Sequence, residues 1–177
     1  MARTNHVHGT SFHVSDIFNH HAEHDKSKFV INGDDQFYAH QYDVAAYSLV
    51  PGCQEALLEL HNKADIFALT SRNYDKFYEY TQQALDKYLP NLISELYFTT
   101  APGRSTHDET KGQIIKRLGG TVLVDDAVKH CESARAEGID AILFGQPYNE
   151  KGHSYPPEWR ATNWPDVVRI INKTYSV

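Results

Sequence analysis

Apolar residues in this chain come in short runs that stop abruptly at polar side chains. Phe29-Val30-Ile31 runs into Asn32-Gly33-Asp34-Asp35, Ile66-Phe67-Ala68-Leu69 into Thr70-Ser71-Arg72-Asn73, and Val122-Leu123-Val124 into Asp125-Asp126. Short apolar runs without alternation fit strands buried on both faces, as in a parallel sheet. Leu96–Thr99 and Ile139–Phe144 read the same way, the latter as the last parallel strand. Segments of helical spacing lie between them. Pro51 suits a first helical turn, and Ala56, Leu57 and Leu60 follow at helical intervals. Asn73–Leu89 is amphipathic and rich in tyrosine (Tyr74, Tyr78, Tyr80, Tyr88), with rings expected on the sheet and hydroxyls at the surface. Lys111–Leu118 closes on Gly119-Gly120, another helix runs through Ala136 to Gly138, and Trp164–Tyr175 carries Val167, Val168, Ile170 and Ile171 on one face. Strand and helix alternate at least five times, which predicts a doubly wound parallel α/β sheet. Residues 28–177 read as a single domain, preceded by a polar, His-rich extension over 1–27.

Such sheets keep their chemistry at the carboxyl edge of the strands. The pattern therefore offers Asn32, Asp34, Thr70, Lys111, Asp125 and Asp126 to one point. A threonine hydroxyl can donate to a phosphoryl oxygen, and a lysine supplies fixed positive charge against a transferring anion. A pair of carboxylates at a strand end offers hard oxygen ligands to Mg²⁺, with water filling other positions.

The order of these elements resembles the haloacid dehalogenase-like superfamily, mostly Mg-dependent phosphohydrolases. Its motifs are a strand ending DxDx(T/V), a strand ending in Thr or Ser, a Lys, and a strand ending in paired Asp. The resemblance covers about Phe29 to the C-terminus. It implies that Asp34 is the general acid and base, its carbonyl also touching the metal. Thr70 and Lys111 would hold the phosphoryl group, and Asp125 and Asp126, with position 32, would bind Mg²⁺. Ser71, Arg72 and Arg104 are candidate substrate contacts, with His107 a further one. Two positions depart from the pattern: Asn32 stands where the family has its nucleophilic Asp, and Gln36 where it has Thr or Val. Phe12-His13-Val14-Ser15-Asp16 is a rival first strand, with Phe18 at its second Asp position. Gly145-Gln146-Pro147-Tyr148-Asn149, then Arg160 and Asn163-Trp164, is similar to the tail of the 5′(3′)-deoxyribonucleotidase branch. That points to a small phosphorylated substrate of the nucleotide kind. The turn and Trp164 could equally serve only to dock the last helix. Only 16 residues separate Asp34 from Pro51, room for a short flap and little or no cap domain.

An amide at position 32 keeps the carboxylate's shape but loses its charge and nucleophilicity. Two function classes stay open: a phosphomonoester hydrolase with very low turnover, and a non-catalytic protein that binds a phosphorylated ligand in the same pocket. Composition narrows the partners. A net charge of −6 offers no footprint for duplex nucleic acid. No apolar run reaches the ~20 residues of a membrane span, and no signal peptide opens the chain. Cys53 and Cys131 lack metal spacing and read as free thiols of a cytoplasmic protein. An open mouth without a cap leaves room for a homo-oligomer that lends a lid.

Overall fold

The computed structural model describes residues 44, 48–100, 109–146, 149–150 and 154–176. Helix α1 (Cys53–His61), strand β1 (Phe67–Thr70), α2 (Tyr74–Tyr88), β2 (Glu95–Phe98) and α3 (Lys111–Arg117) come first. β3 (Val122–Asp125), α4 (Val128–Ala136), β4 (Asp140–Phe144), a 3₁₀ turn (Pro157–Trp159), β5 (Arg160–Ala161) and α5 (Trp164–Tyr175) follow. Among the described residues β1 pairs with β2, and β3, β4 and β5 pair in that order, every pairing parallel. The expected strand over Phe29–Ile31, the rival first strand and Arg104 and His107 lie outside the described residues, as do Asn32, Asp34 and Gln36.

Local chemistry sets the element ends. The Asn73 side chain caps α2 by accepting from the Lys76 amide at 3.0 Å, and Asn163 caps α5 by accepting from Asp166 at 2.9 Å. Gly119 and Gly138 follow α3 and α4 with φ of 72° and 79°, a conformation that disfavours a side chain. Two sequence expectations need correction. Pro51 is not in the first turn of α1; Gly52 intervenes at φ 81°, and the helix starts at Cys53. Ile139–Phe144 is not the last parallel strand, because Arg160-Ala161 adds to it in register with Leu143 and Phe144. Two residues carry no periodicity, so this strand leaves no trace in the sequence pattern.

The β3–β4 sheet is covered on both faces. Leu123, Ala141 and Leu143 pack with Ile115, Cys131 and Ala134 on the side of α3 and α4. Val122, Val124, Ile142 and Phe144 face Val167 and Ile170 of α5 on the other. Strand alternation therefore puts Asp125, two residues from Leu123, on the α3/α4 side. The β1–β2 pair is covered by α2 through Phe77, Leu96 and Phe98, while Leu69 of β1 packs into the cluster beneath β3 and β4. Tyr74 meets Phe98 edge-on and Tyr78 leans on both, so the predicted ring packing of these two tyrosines is observed. Trp164 joins the α5 cluster to the one formed by α1, Leu89 and Leu92.

Candidate functional site

Lys111 is the first residue of α3, and the chain holds that helix start firmly. Thr110 accepts from the Gln113 amide at 3.3 Å while Gln113 Oε1 accepts from the Thr110 amide at 2.9 Å, a reciprocal capping box. The next residue, Gly112, lets α3 lie against α4: a Cβ there would sit 2.5 Å from the Ser133 carbonyl oxygen. This close approach carries the lysine over the end of β3. Its Nζ donates to Asp125 Oδ2 at 2.6 Å, with side-chain exposures of 10% and 6%. Asp125 Oδ1 accepts from the Ala127 amide at 2.8 Å. A buried charge pair with further hydrogen bonds is the form in which such groups survive desolvation.

Asp126, next along, reaches solvent. Desolvation at its inner side, and then the charge of Asp125, hold its carboxyl above the usual carboxylate range. His130, one turn into α4, is pushed down to about 4 by burial and then by the Lys111 charge, and is neutral near pH 7. A lysine, two crowded carboxylates and a neutral imidazole thus surround the carboxyl end of β3.

Thr70 ends β1 as expected. Its Oγ1 accepts from the Arg72 amide at 3.3 Å, and its carbonyl accepts from the Thr99 amide at 3.0 Å. Thr100 clasps the same loop, donating to the Arg72 carbonyl at 2.9 Å and accepting from the Tyr74 amide at 2.9 Å. The Arg72 guanidinium donates to Thr81 on α2 at 3.3 Å, which gives it a structural anchor. Ser71 is exposed. The structure therefore brings Lys111, Asp125 and Asp126 together. It holds Thr70 at the end of β1, next to the Leu69 that packs beneath β3, and Ser71 and Arg72 on the braced loop that follows.

Sequence reasoning missed the roles of four supporting residues. Thr110 and Gln113 had the T-x-x-Q spacing of a capping box, a readable signal. Asn149 had one too, as the last residue of the Gln-Pro-Tyr-Asn turn. It is 3% exposed and bonds the carbonyls of Asp126 and Phe144 at 2.7 and 2.8 Å. His130 stands in no motif.

The donor set around β3 suits a hard divalent cation in kind. Asp126 is solvent-reachable, and the repulsion between it and Asp125 is relieved by positive charge. Among the described residues no group of three or more His, Cys, Asp or Glu converges on one point, but Mg²⁺ commonly takes one or two carboxylates and keeps its waters.

Parallel strands with helices on both faces make an α/β fold that is similar to a solved structure. That structure, a haloacid dehalogenase-like family hydrolase from Streptococcus pneumoniae, matches with a TM-score of 0.64 and 14% identity, over 96% of this chain and 87% of that one. No protein-family model matches the sequence, and no curated protein sequence matches it.

Proposed function

We propose that this chain is a Mg-dependent phosphomonoester hydrolase of the haloacid dehalogenase type, acting on small phosphorylated substrates of the (deoxy)nucleotide kind. The observation that carries the reading is the buried Lys111–Asp125 pair, 2.6 Å apart at the end of β3, with Asp126 reaching solvent beside it. β1 and β3 end in Thr70 and Asp125, and Leu69 of β1 packs beneath β3; in this reading Asn32 and Asp34 serve the same sheet edge.

Each side chain has a role. Thr70 donates its hydroxyl to a phosphoryl oxygen, and Lys111 sets a fixed positive charge against the transferring group. Asp34 protonates the leaving oxygen and later takes a proton from water. Ser71, Arg72 and Arg104 contact the substrate beyond the phosphate. Asp125, Asp126, the Asp34 carbonyl and the Asn32 side chain would hold Mg²⁺, which supplies positive charge to the phosphoryl oxygens when bound. Position 32 is where a carboxylate would attack phosphorus and form an acyl phosphate. The Asn32 amide cannot do so, and turnover by this chain is accordingly very low. The two buried free thiols, Cys53 and Cys131, suit a cytoplasmic setting, and among the described residues no helix is long and apolar enough to cross a membrane.

Asn32 itself favours a second reading, a pseudoenzyme that binds a phosphorylated ligand without hydrolysing it. Phosphate release from a deoxynucleoside monophosphate and an aryl phosphate, with and without Mg²⁺, for this chain and for Asn32→Asp, separates the two. Hydrolysis by Asn32→Asp that depends on Mg²⁺ supports the hydrolase. A variant that binds Mg²⁺ and phosphate yet hydrolyses neither ester supports the binding protein.

A further inference from the structure

Asn149 lies 23 residues from Asp126 in sequence, yet its amide spans the ends of β3 and β4. One N–H of its Nδ2 goes to the Asp126 carbonyl at 2.7 Å and the other to the Phe144 carbonyl at 2.8 Å, while Oδ1 accepts from the Gln146 amide at 2.8 Å. These partners fix the amide's orientation, because the flipped form would set oxygen against two carbonyls. The Asn149 backbone is held in turn: its N–H donates to Gln146 at 2.9 Å and its carbonyl accepts from Arg160 at 3.1 Å. Arg160 belongs to β5, so the latch ties three strands.

The carbonyl it grips belongs to the peptide unit joining Asp126 to Ala127. The N–H of that same unit donates to Asp125 Oδ1 at 2.8 Å, and Asp125 Oδ2 accepts from Lys111 at 2.6 Å. A continuous line of hydrogen bonds therefore runs from Asn149 through one peptide plane and one carboxylate to the Lys111 ammonium. Each donor in such a line polarises the next. The plane is clamped at both ends, which fixes ψ of Asp126 and the direction in which its carboxylate leaves the chain.

We propose that Asn149 is a positioning residue for the acidic pair, acting through the Asp126–Ala127 peptide to set both carboxylates for a divalent cation. The cation part of this inference rests on the hydrolase reading; the clamp on the peptide does not. The test uses the full chain with Asn149→Ala, Asn149→Asp and, as control, Tyr155→Phe. The control removes a buried hydrogen bond to the Ala141 carbonyl (2.6 Å) in the same core. Two quantities are read under conditions where each variant is folded: hydrogen exchange of the Ala127 amide by NMR, and Mn²⁺ affinity by calorimetry.

Ala127 exchange should be about tenfold faster in Asn149→Ala than in the control, because local opening no longer breaks the clamp. Mn²⁺ binding should weaken about tenfold or more, as for other residues that orient ligands from behind. Asn149→Asp, whose ionised carboxylate would face two carbonyls, should be the worse of the two, and Tyr155→Phe should match the parent. If Asn149→Ala fails to fold, Asn149→Ser, which keeps one donor, is read the same way. Unchanged Ala127 exchange overturns the proposal. So does faster exchange with unchanged Mn²⁺ affinity, which would leave Asn149 a purely structural latch. Should the parent chain bind no Mn²⁺, the hydrolase reading falls, while the exchange measurement still supports or overturns the clamp.

Discussion

Replacing Lys111 by Met removes an ammonium and leaves the Asp125 carboxylate where it was, 6% exposed and with one acceptor oxygen unpartnered by its lysine. Removing one member of a buried ion pair costs about 3–5 kcal/mol, since the surviving charge stays desolvated. The Ala127 amide, 2.8 Å from Oδ1, still offsets part of that cost, which places the expectation near the lower end, about 3 kcal/mol. For a chain of this size each kcal/mol moves the melting midpoint by roughly 2–4 °C, so a fall of about 6–12 °C is expected. Urea titration of the parent, Lys111→Met, Asp125→Asn and the double variant closes a cycle. Asp125→Asn keeps an acceptor for Ala127 but sheds the charge. The double variant should recover about 1.5 kcal/mol or more relative to the sum of the singles. A loss below about 1 kcal/mol for Lys111→Met, or additivity within about 0.5 kcal/mol, would refute a buried, coupled pair.

Three further outcomes follow from the same geometry. Gly112→Ala should destabilise by about 1–3 kcal/mol in denaturant titration, because its Cβ would sit 2.5 Å and 2.8 Å from backbone atoms of Ser133 and Ala134; a neutral result would mean that α3 can move off α4 freely. Asn32→Asp should raise Mg²⁺ affinity and bring phosphatase activity up by several tenfold steps, each worth about 1.4 kcal/mol of barrier, read as phosphate release. His130, at about 4 in the folded chain against an ordinary 6.5, leaves the unfolded state with more bound protons between those values, so stability should rise with pH across that window. Unfolding of the parent and His130→Gln from pH 4 to 7 checks this, the variant being expected to show the shallower slope.

Helices were the most legible part of the chain, for a physical reason. α2 and α5 start at Asn73 and Asn163, whose side chains accept the first free amides, and the glycines after α3 and α4 end them in a conformation other residues avoid. Local chemistry of that kind is written in the sequence. The long strands were legible because residues such as Leu123, Ala141 and Leu143 are buried by layers on both sides. β5 was not, since its place depends on register with β4 and on nothing in Arg160-Ala161 itself. Within the site, Asp125 and Asp126 stood out as polar groups at an apolar strand end, and Lys111 as the opening of a helix. Gly112 did not, because what requires it is the backbone of Ser133, a contact between elements. Thr70 was placed at its strand end, but the braces from Thr99 and Thr100 come from the turn after the neighbouring strand and leave no periodic signal.

Among the described residues, the two clusters that enclose β3 and β4 draw, apart from Leu69, on residues after position 110. The acidic pair, its lysine and the helices α3, α4 and α5 thus share one core. Mutational tolerance should be divided accordingly: changes within α1 or α2 should leave Lys111 held against Asp125, whereas a loosened contact between α3 and α4 should be felt at that pair directly.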